Sequence, residues 1–285
     1  MSNRIRLYFN IFKNLITDII YPDSYVLLYA KSLESNNNFG DDIGEVIVSF
    51  LTKKKLLQYR GAYISRFLRK KPNYLIVGSI IPQFTKPNTI IWGSGVGEST
   101  HILSNKPLKV LAVRGPLTRQ YLIERGVDCP DVYGDPALLL SKYYAPNKEK
   151  KYKFGLIPHF LDQNEEFFQY MQKLGDDVIF INVRKYGTWK NFIDQVCSCE
   201  FVFSSSLHGL IIADAFGIPN IWCQFSHKME DDGFKFRDYL MSVNKHNLRP
   251  VEIMDKDRDD LDVLKTMAEK PTINLDNMLS VCPFK

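Results

Sequence analysis

Two histidines, an arginine, a pair of aspartates and a run of alternating glycines are the residues of this 285-residue chain whose types and settings could do chemistry. The densest group is Ser204-Ser205-Ser206-Leu207-His208-Gly209. It follows the apolar run Phe201-Val202-Phe203 and precedes an apolar-periodic segment closed by Gly217-Ile218-Pro219. That pattern predicts a buried strand, a hydroxyl-rich turn, a helix from about Leu207 and a further strand over Asn220–Gln224. Ser205, Ser206 and His208 then stand at a helix N-terminus at the carboxyl end of a parallel strand. Unsatisfied N–H groups gather there and favour an anion, and open α/β sheets bind ligands at that edge. An imidazole so placed could move a proton or hold an anion, or it could be a satisfied core histidine.

Five other places share this character. Arg114 stands where the strand Leu108–Val113 passes into a helix opened by Pro116. A guanidinium at that edge suits bidentate clamping of a carboxylate or phosphate. His159 ends the strand Lys153–Pro158, in the same kind of position as His208. Asn38-Phe39-Gly40-Asp41-Asp42 lies between the strand Ser24–Ala30 and a helix with Ile43, Val46, Ile47, Phe50 and Leu51 on one side. It reads as a ligand-facing turn, although Asp41 or Asp42 could simply cap the helix, with Glu45 close to a capping-box position. Gly93-Ser94-Gly95-Val96-Gly97 follows the strand Thr89–Trp92. Its alternate glycines leave either a backbone that a phosphate approaches closely or a cramped crossover. Asp135, before Pro136, reads as a helix cap as readily as an acid of the site. Neither a GxGxxG fingerprint nor a Walker lysine accompanies these loops.

Placing such residues at strand ends requires strand–helix alternation, and the chain supplies it twice, on either side of the polar stretch 141–152. The reading is an α/β protein of two Rossmann-like domains facing across a cleft. The expected boundaries are residues 1–145 for the first domain, 153–245 for the second, and 246–285 for a helical segment packing back on the cleft or the first domain. Within residues 1–20, Phe12, Leu15, Ile16 and Ile19 have helical spacing while Ile5, Leu7, Phe9 and Ile11 alternate like a strand. This segment is an arm or a short amphipathic helix, for which docking on a neighbouring domain is favoured over resting on a membrane surface.

Composition bounds the rest. The chain is 45% hydrophobic and 24% charged, which argues against disorder. A net charge of +5 fits anionic ligands or headgroups but is too diffuse to argue for nucleic acid. The five cysteines form no paired framework or metal-ligand spacing, so a reducing cytoplasm and no structural metal are expected. No run of 18 apolar residues exists, so an integral membrane segment is not expected.

Four stretches, in order, resemble the polysaccharide pyruvyl transferase family, in particular its short bacterial exopolysaccharide members. They are Asn38–Asp42; Trp92-Gly93-Ser94-Gly95; Arg114-Gly115-Pro116-Leu117-Thr118 with Gly134-Asp135-Pro136-Ala137; and Ser204–Leu210 with Ala213–Pro219. The resemblance implies a fold like the GT-B glycosyltransferases, with the acceptor on the first domain and the donor on the second. It implies transfer of a pyruvyl group from phosphoenolpyruvate to a sugar of a surface polysaccharide or a lipid-linked or polymeric precursor, giving a ketal. No cofactor is implied, and the place of work is the cytoplasm or the inner face of the cell membrane. Residue by residue, His208 matches the family histidine at the donor, Arg114 an arginine near the donor anion, and Asp41 or Asp42 the acidic site. His159 lies in a similar segment. Ser205, Ser206 and Gly209 fall on the donor side, and Asn38, Gly40, Gly93, Ser94, Gly95 and Asp135 on the acceptor or cleft side. The alternatives weighed are a nucleotide-sugar glycosyltransferase of similar architecture and a non-catalytic sugar-binding scaffold.

Overall fold

The computed structural model describes residues 3–29, 38–147, 149–226 and 232–284, with side chains from residue 11 onward. Most of the polar, Asn-rich stretch 31–38, read from the sequence as a loop, and residues 227–231 of the polar segment 226–239 thus lie outside the described residues. The chain divides into two compact units, residues 1–136 with 274–285, and residues 137–273. This division falls ahead of the polar stretch 141–152. Leu140 is fully buried, and the Tyr144 hydroxyl donates to Asp194 at 2.8 Å, so the start of that stretch is anchored in the second unit. Residues 246–285 are likewise divided: 246–273 join the second unit and 274–285 the first.

The first unit comprises α1 (Asn3–Ile20), β1 (Tyr25–Leu27), α2 (Phe39–Leu51), β2 (Leu56–Gln58), β3 (Asn73–Leu75), α3 (Ile81–Phe84), β4 (Thr89–Trp92), β5 (Lys109–Ala112) and α4 (Pro116–Glu124). Its strands are all parallel, in the order β2-β1-β3-β4-β5. The apolar runs that predicted strands are covered on both faces, as parallel sheets require: Val26, Leu75, Ile91 and Ala112 are fully buried. β2 was not foreseen, because its three residues follow directly on Lys53-Lys54-Lys55. On α2 the inward row is Phe39, Ile43, Ile47 and Val48, whereas Phe50 is exposed. Gly44 lies on the same inward side, against Ile76 and Val77, where a Cβ would be in van der Waals contact. The short helix Asp276–Ser280 closes the unit: the Trp92 indole N–H donates to the Met278 carbonyl at 2.9 Å, and the Phe284 ring packs against Tyr25, Tyr74 and Trp92.

The second unit comprises α5 (Leu140–Tyr143), β6 (Tyr152–Ile157), α6 (Glu165–Leu174), β7 (Val178–Phe180), α7 (Trp189–Cys197), β8 (Cys199–Ser204), α8 (Leu207–Ala215), β9 (Asn220–Gln224), α9 (Phe234–Ser242), β10 (Val251–Glu252) and α10 (Arg258–Leu264). Its sheet is also parallel, ordered β10-β9-β8-β6-β7. Asn164 caps α6 by accepting the Phe167 N–H, and Thr188 caps α7 by accepting the Asn191 N–H. Phe154, Phe167, Phe201, Phe203 and Phe225 fill the core beneath α6 and α10.

Counted from the start of each unit, both sheets have the strand order 2-1-3-4-5. The fold is therefore α/β with two Rossmann-like units, consistent with a GT-B-like chain. In this order the connections leave the first and third strands in opposite directions, and the carboxyl ends of those two neighbours open the crevice where such sheets bind ligands. The crevice strands are β1 and β3 in the first unit, and β6 and β8 in the second.

Candidate active site

In the second unit, the crevice strands carry His159 and the three serines. His159 follows β6, and its backbone N–H donates to Ser205 Oγ at 2.8 Å. The Ser205 hydroxyl donates to Asp162 Oδ2 at 2.6 Å, and the Ser226 hydroxyl donates to Oδ1 at 2.5 Å. Asp162 is buried, and its own N–H returns to the His159 carbonyl at 2.9 Å. One carboxylate thus ties together the loops that follow β6, β8 and β9. Ser205, fully buried, serves this knot. Ser204 Oγ accepts the Ser206 N–H at 3.0 Å and lies 3.1 Å from the Ile157 carbonyl. A Cβ on Gly209 would sit 2.3 Å from Ser204 Oγ, so only glycine fits there. Ser206 is the N-cap residue of α8 in extended conformation, but its side chain makes no capping bond. His208 is the second residue of that helix and is partly exposed, as is His159.

A cation completes the edge. The Arg184 guanidinium, beyond β7, lies 3.5 Å from the centre of the Phe160 ring, and that ring lies 4.2 Å from the His159 imidazole. The buried Arg184 Nε has no hydrogen-bond partner among the described residues. The carboxyl ends of β7, β6 and β8, adjacent in the sheet, therefore present a stacked guanidinium, two imidazoles and a helix N-terminus. This combination can hold an anion and deliver a proton. Asp162, Arg184 and Ser226 were missed in the sequence. Asp162 and Arg184 follow strand ends just as His159 does, so the same positional rule applied to every strand would have found them.

Asp214, in the stretch Ala213–Pro219, is used differently. Its carboxylate accepts from Lys245 Nζ (2.7 Å), Asn220 Nδ2 (2.6 Å) and the Tyr239 hydroxyl (2.8 Å), all inside the unit. This buried network fastens the end of α8 to β9 and α9.

In the first unit, Asn38 caps α2, its side chain accepting the Gly40 N–H at 3.2 Å. Neither acid is the cap: Asp41 and Asp42 both lie in the first helical turn. They diverge. Asp41 Oδ1 is 3.6 Å from where a Cβ on Gly78 would lie, in the β1–β3 crevice. Asp42 instead borders a surface depression with Glu45, Lys53, Lys54 and Lys55. Behind Asp42, the Tyr29 hydroxyl donates to Glu45 Oε2 at 2.7 Å and accepts from Gln58 Nε2 at 2.6 Å. Burial, reinforced by the Glu45 carboxylate, pushes the Tyr29 phenol far above its ordinary range, so it remains a neutral donor.

Arg114 is fully buried. Its Nη1 donates to Ser79 Oγ at 2.7 Å and its Nη2 to the Val96 carbonyl at 2.6 Å. Its Cζ lies 2.3 Å from the position of a Cβ on Gly95, which explains that glycine. Gly93, at φ +99°, packs against the Pro136 ring, where a Cβ would meet Cδ at 2.3 Å. Ser94 is buried, with its hydroxyl on the Val77 carbonyl at 3.2 Å, and Asp135 is buried beside Pro136. Gly93 and Gly95 are thus explained by tight packing around Pro136 and Arg114, whereas at Gly97 a Cβ would make only ordinary contacts. Among the described residues, no three His, Cys, Asp or Glu side chains converge in a way that could hold a metal ion.

Comparison with known proteins matches these stretches as one set. The family model described as Polysaccharide pyruvyl transferase covers residues 19–227. The chain is 30% identical over 220 residues to Uncharacterized protein L143 of Acanthamoeba polyphaga mimivirus, covering 75% of this chain and 73% of that one. It is 27% identical over 217 residues to Succinoglycan biosynthesis protein ExoV of Rhizobium meliloti (strain 1021), covering 73% of this chain and 62% of ExoV. No solved structure matches it. Since the family match takes in both sheets' crevice strands and every residue discussed above from Asn38 to Ser226, the chain belongs to the polysaccharide pyruvyl transferase family.

Proposed function

We propose that the protein transfers a pyruvyl group from phosphoenolpyruvate to a sugar residue of a polysaccharide or its precursor, forming a cyclic ketal and releasing phosphate. The observation that supports this reading is the edge formed by β7, β6 and β8. It combines a helix N-terminus, an uncommitted Arg184 Nε and partly exposed histidines, which suits a donor bearing both a phosphate and a carboxylate.

In the reaction as proposed, the donor's methylene carbon gains a proton and becomes a methyl group, while C2 takes on oxocarbenium character. A sugar hydroxyl adds to C2. The C2–O bond to phosphate then breaks, and a second hydroxyl of the same sugar closes the ketal. Of the two hydroxyl protons lost, one balances the methyl group and one leaves with phosphate. His208 is assigned the donation to the methylene carbon, with the α8 N-terminus and Arg184 holding donor oxygens. Ser205 and Asp162 act by fixing the His159 loop. Asp41 is the base for the acceptor hydroxyl, in preference to Asp42, because it faces the crevice of its unit. Arg114 keeps its donor-side assignment in a modified form. Its donors already hold Ser79 and Val96, so it acts by fixing the 93–97 backbone and lending that loop its charge. The reaction needs no cofactor, and the cytoplasm is its proposed place.

The test is phosphate release and a pyruvyl mass increment on candidate saccharides incubated with phosphoenolpyruvate. His208→Ala is expected to abolish both while leaving the melting curve unchanged. Arg184→Ala is expected to raise the donor KM about tenfold or more, as loss of a charge-assisted hydrogen bond would. Full turnover by the His208 variant, or thermal protection by a nucleotide sugar and none by phosphoenolpyruvate, would overturn the reading.

A further inference from the structure

The helix α1 is turned inside out. Over residues 11–20, its most buried side chain is a charge: Asp18 is fully buried, Asn14 packs on Gly61 so closely that a Cβ there would lie 2.4 Å from Asn14 Cβ, and the apolar Ile11 and Leu15 are only half-buried. Its apolar residues Phe12, Ile16, Ile19 and Ile20, at i, i+4, i+7 and i+8, form one stripe and are all exposed, by 42–60%. The helix is nonetheless held in place. The Asp18 carboxylate accepts the Ser65 N–H and hydroxyl, the latter at 2.5 Å, and Arg69 Nη1 donates both to that carboxylate and to the Asp18 carbonyl. A free arm would bury its apolar stripe; this one is fixed with the stripe outward.

The segment that holds α1 carries exposed apolar residues of its own. Phe67 and Leu68, on a π-helical turn over Ile64–Leu68, are 65% and 78% exposed. Cations accompany the exposed rings: Arg66 lies 5.0 Å from the centre of the Phe67 ring, and Lys55 lies 5.3 Å from that of the exposed Tyr21. From Val46 to Gly97 the sequence contains nine Lys and Arg and no Asp or Glu. Asp18 is paired with Arg69; among the described residues Asp23 is an exposed acid next to α1, and Asp42 and Glu45 border Lys53, Lys54 and Lys55.

From this arrangement we propose that α1 and residues 53–71 form a docking surface for an anionic phospholipid membrane, with the stripe and Phe67-Leu68 entering the headgroup–acyl boundary and the cations meeting lipid phosphates. Exposed apolar side chains within a predominantly basic field are what a helix lying in the plane of such a membrane presents. Charge decides against a second copy of the chain. A symmetric contact would bring two cationic faces together, whereas anionic headgroups neutralise them. Among the described residues no helix is long and apolar enough to cross a membrane, so the contact is with one leaflet. This inference is independent of the reaction proposed above.

The experiment is flotation of the full chain with phosphatidylcholine vesicles, with and without phosphatidylglycerol. Binding is expected to the anionic vesicles only, and to be lost at high salt. The Phe67→Ser/Leu68→Ser variant is expected to bind those vesicles at least about tenfold more weakly, having lost two buried apolar side chains. Lys55→Gln/Lys70→Gln should weaken binding to anionic vesicles and make it less steeply dependent on anionic lipid. All four positions are at the surface, and unchanged melting of both variants serves as the folding control. No binding of the parent chain to anionic vesicles would overturn the proposal. So would equal binding by parent and both variants, or a concentration-dependent dimer that Phe67→Ser/Leu68→Ser dissolves.

Discussion

Replacing Lys245 by methionine should unfold the second unit early without touching its chemistry. Lys245 and Asp214 are 5% and 4% exposed, with Nζ 2.7 Å from Oδ1. Methionine fills most of the stem's volume and removes the charge, leaving the Asp214 carboxylate buried with only Asn220 and Tyr239 as donors. Removing one partner of a buried pair costs about 3–5 kcal/mol. The two surviving hydrogen bonds to the anion hold the loss near the lower end, about 3 kcal/mol. For a unit the size of residues 137–273, each kcal/mol moves the midpoint by about 3 °C, so calorimetry should show its transition about 10 °C lower. Asp214→Asn/Lys245→Met should lose less than the sum of the two single changes, by about 2 kcal/mol. Donor KM measured well below the transition should be unchanged, because Asp214 stands six residues along α8 from His208, about 9 Å away. A midpoint shift of less than about 3 °C, or strictly additive variants, would refute the reasoning.

Gly95→Ala should destabilise the first unit by about 1–3 kcal/mol, because the new Cβ meets the guanidinium of a buried and bound Arg114. Gly97→Ala, whose Cβ would come no closer than 3.5 Å to anything, should leave the melting curve unchanged. Burial pushes the Cys199 thiol up to about 12 and raises that of Cys223 as well, so neither should react with a thiol reagent until the second unit unfolds. The hydrogen bond from Lys153 holds the Asp262 carboxyl below its usual range. A depressed carboxyl stabilises above its unfolded pKa and loses that contribution as pH falls through the folded one. The gap in melting temperature between the parent and Lys153→Met should therefore be open above about pH 4 and close in more acidic solution. It should remain small and salt-sensitive, since both side chains are partly exposed.

The strands and the helix N-terminus at His208 were legible because parallel sheets buried on both faces leave apolar runs, and because Ser206-Leu207-His208 sits where such a run gives way to helical periodicity. The strand order was not legible. Nothing in the spacing says that β6 lies between β7 and β8, and without that neither the stacking of Arg184, Phe160 and His159 nor the meeting of Ser205, Ser226 and Asp162 can be read. Asp41 and Asp42 looked equivalent as adjacent acids. One residue of helix advance turns them by about 100°, toward the crevice and away from it. Arg114 was legible as a cation at a strand end, but not as a buried one, because its burial depends on Gly95 and Ser79 arriving from two other loops. The outward stripe of α1 was hidden for the opposite reason. Helical spacing shows that a face exists, whereas its direction is set by Asp18 meeting Ser65 and Arg69 far along the chain.

The closure of the first unit by residues 274–284 orders events during synthesis. Trp92 finds its carbonyl partner on Met278, and Tyr25 and Tyr74 find their ring partner in Phe284, yet all of residues 137–273 are translated in between. The second unit can complete its sheet as a contiguous piece, while the first waits with an open edge of its core until the 274–284 segment arrives. The half of the protein that is made earlier is thus the half that matures later, and a chaperone guarding the nascent chain would find its apolar target around Trp92.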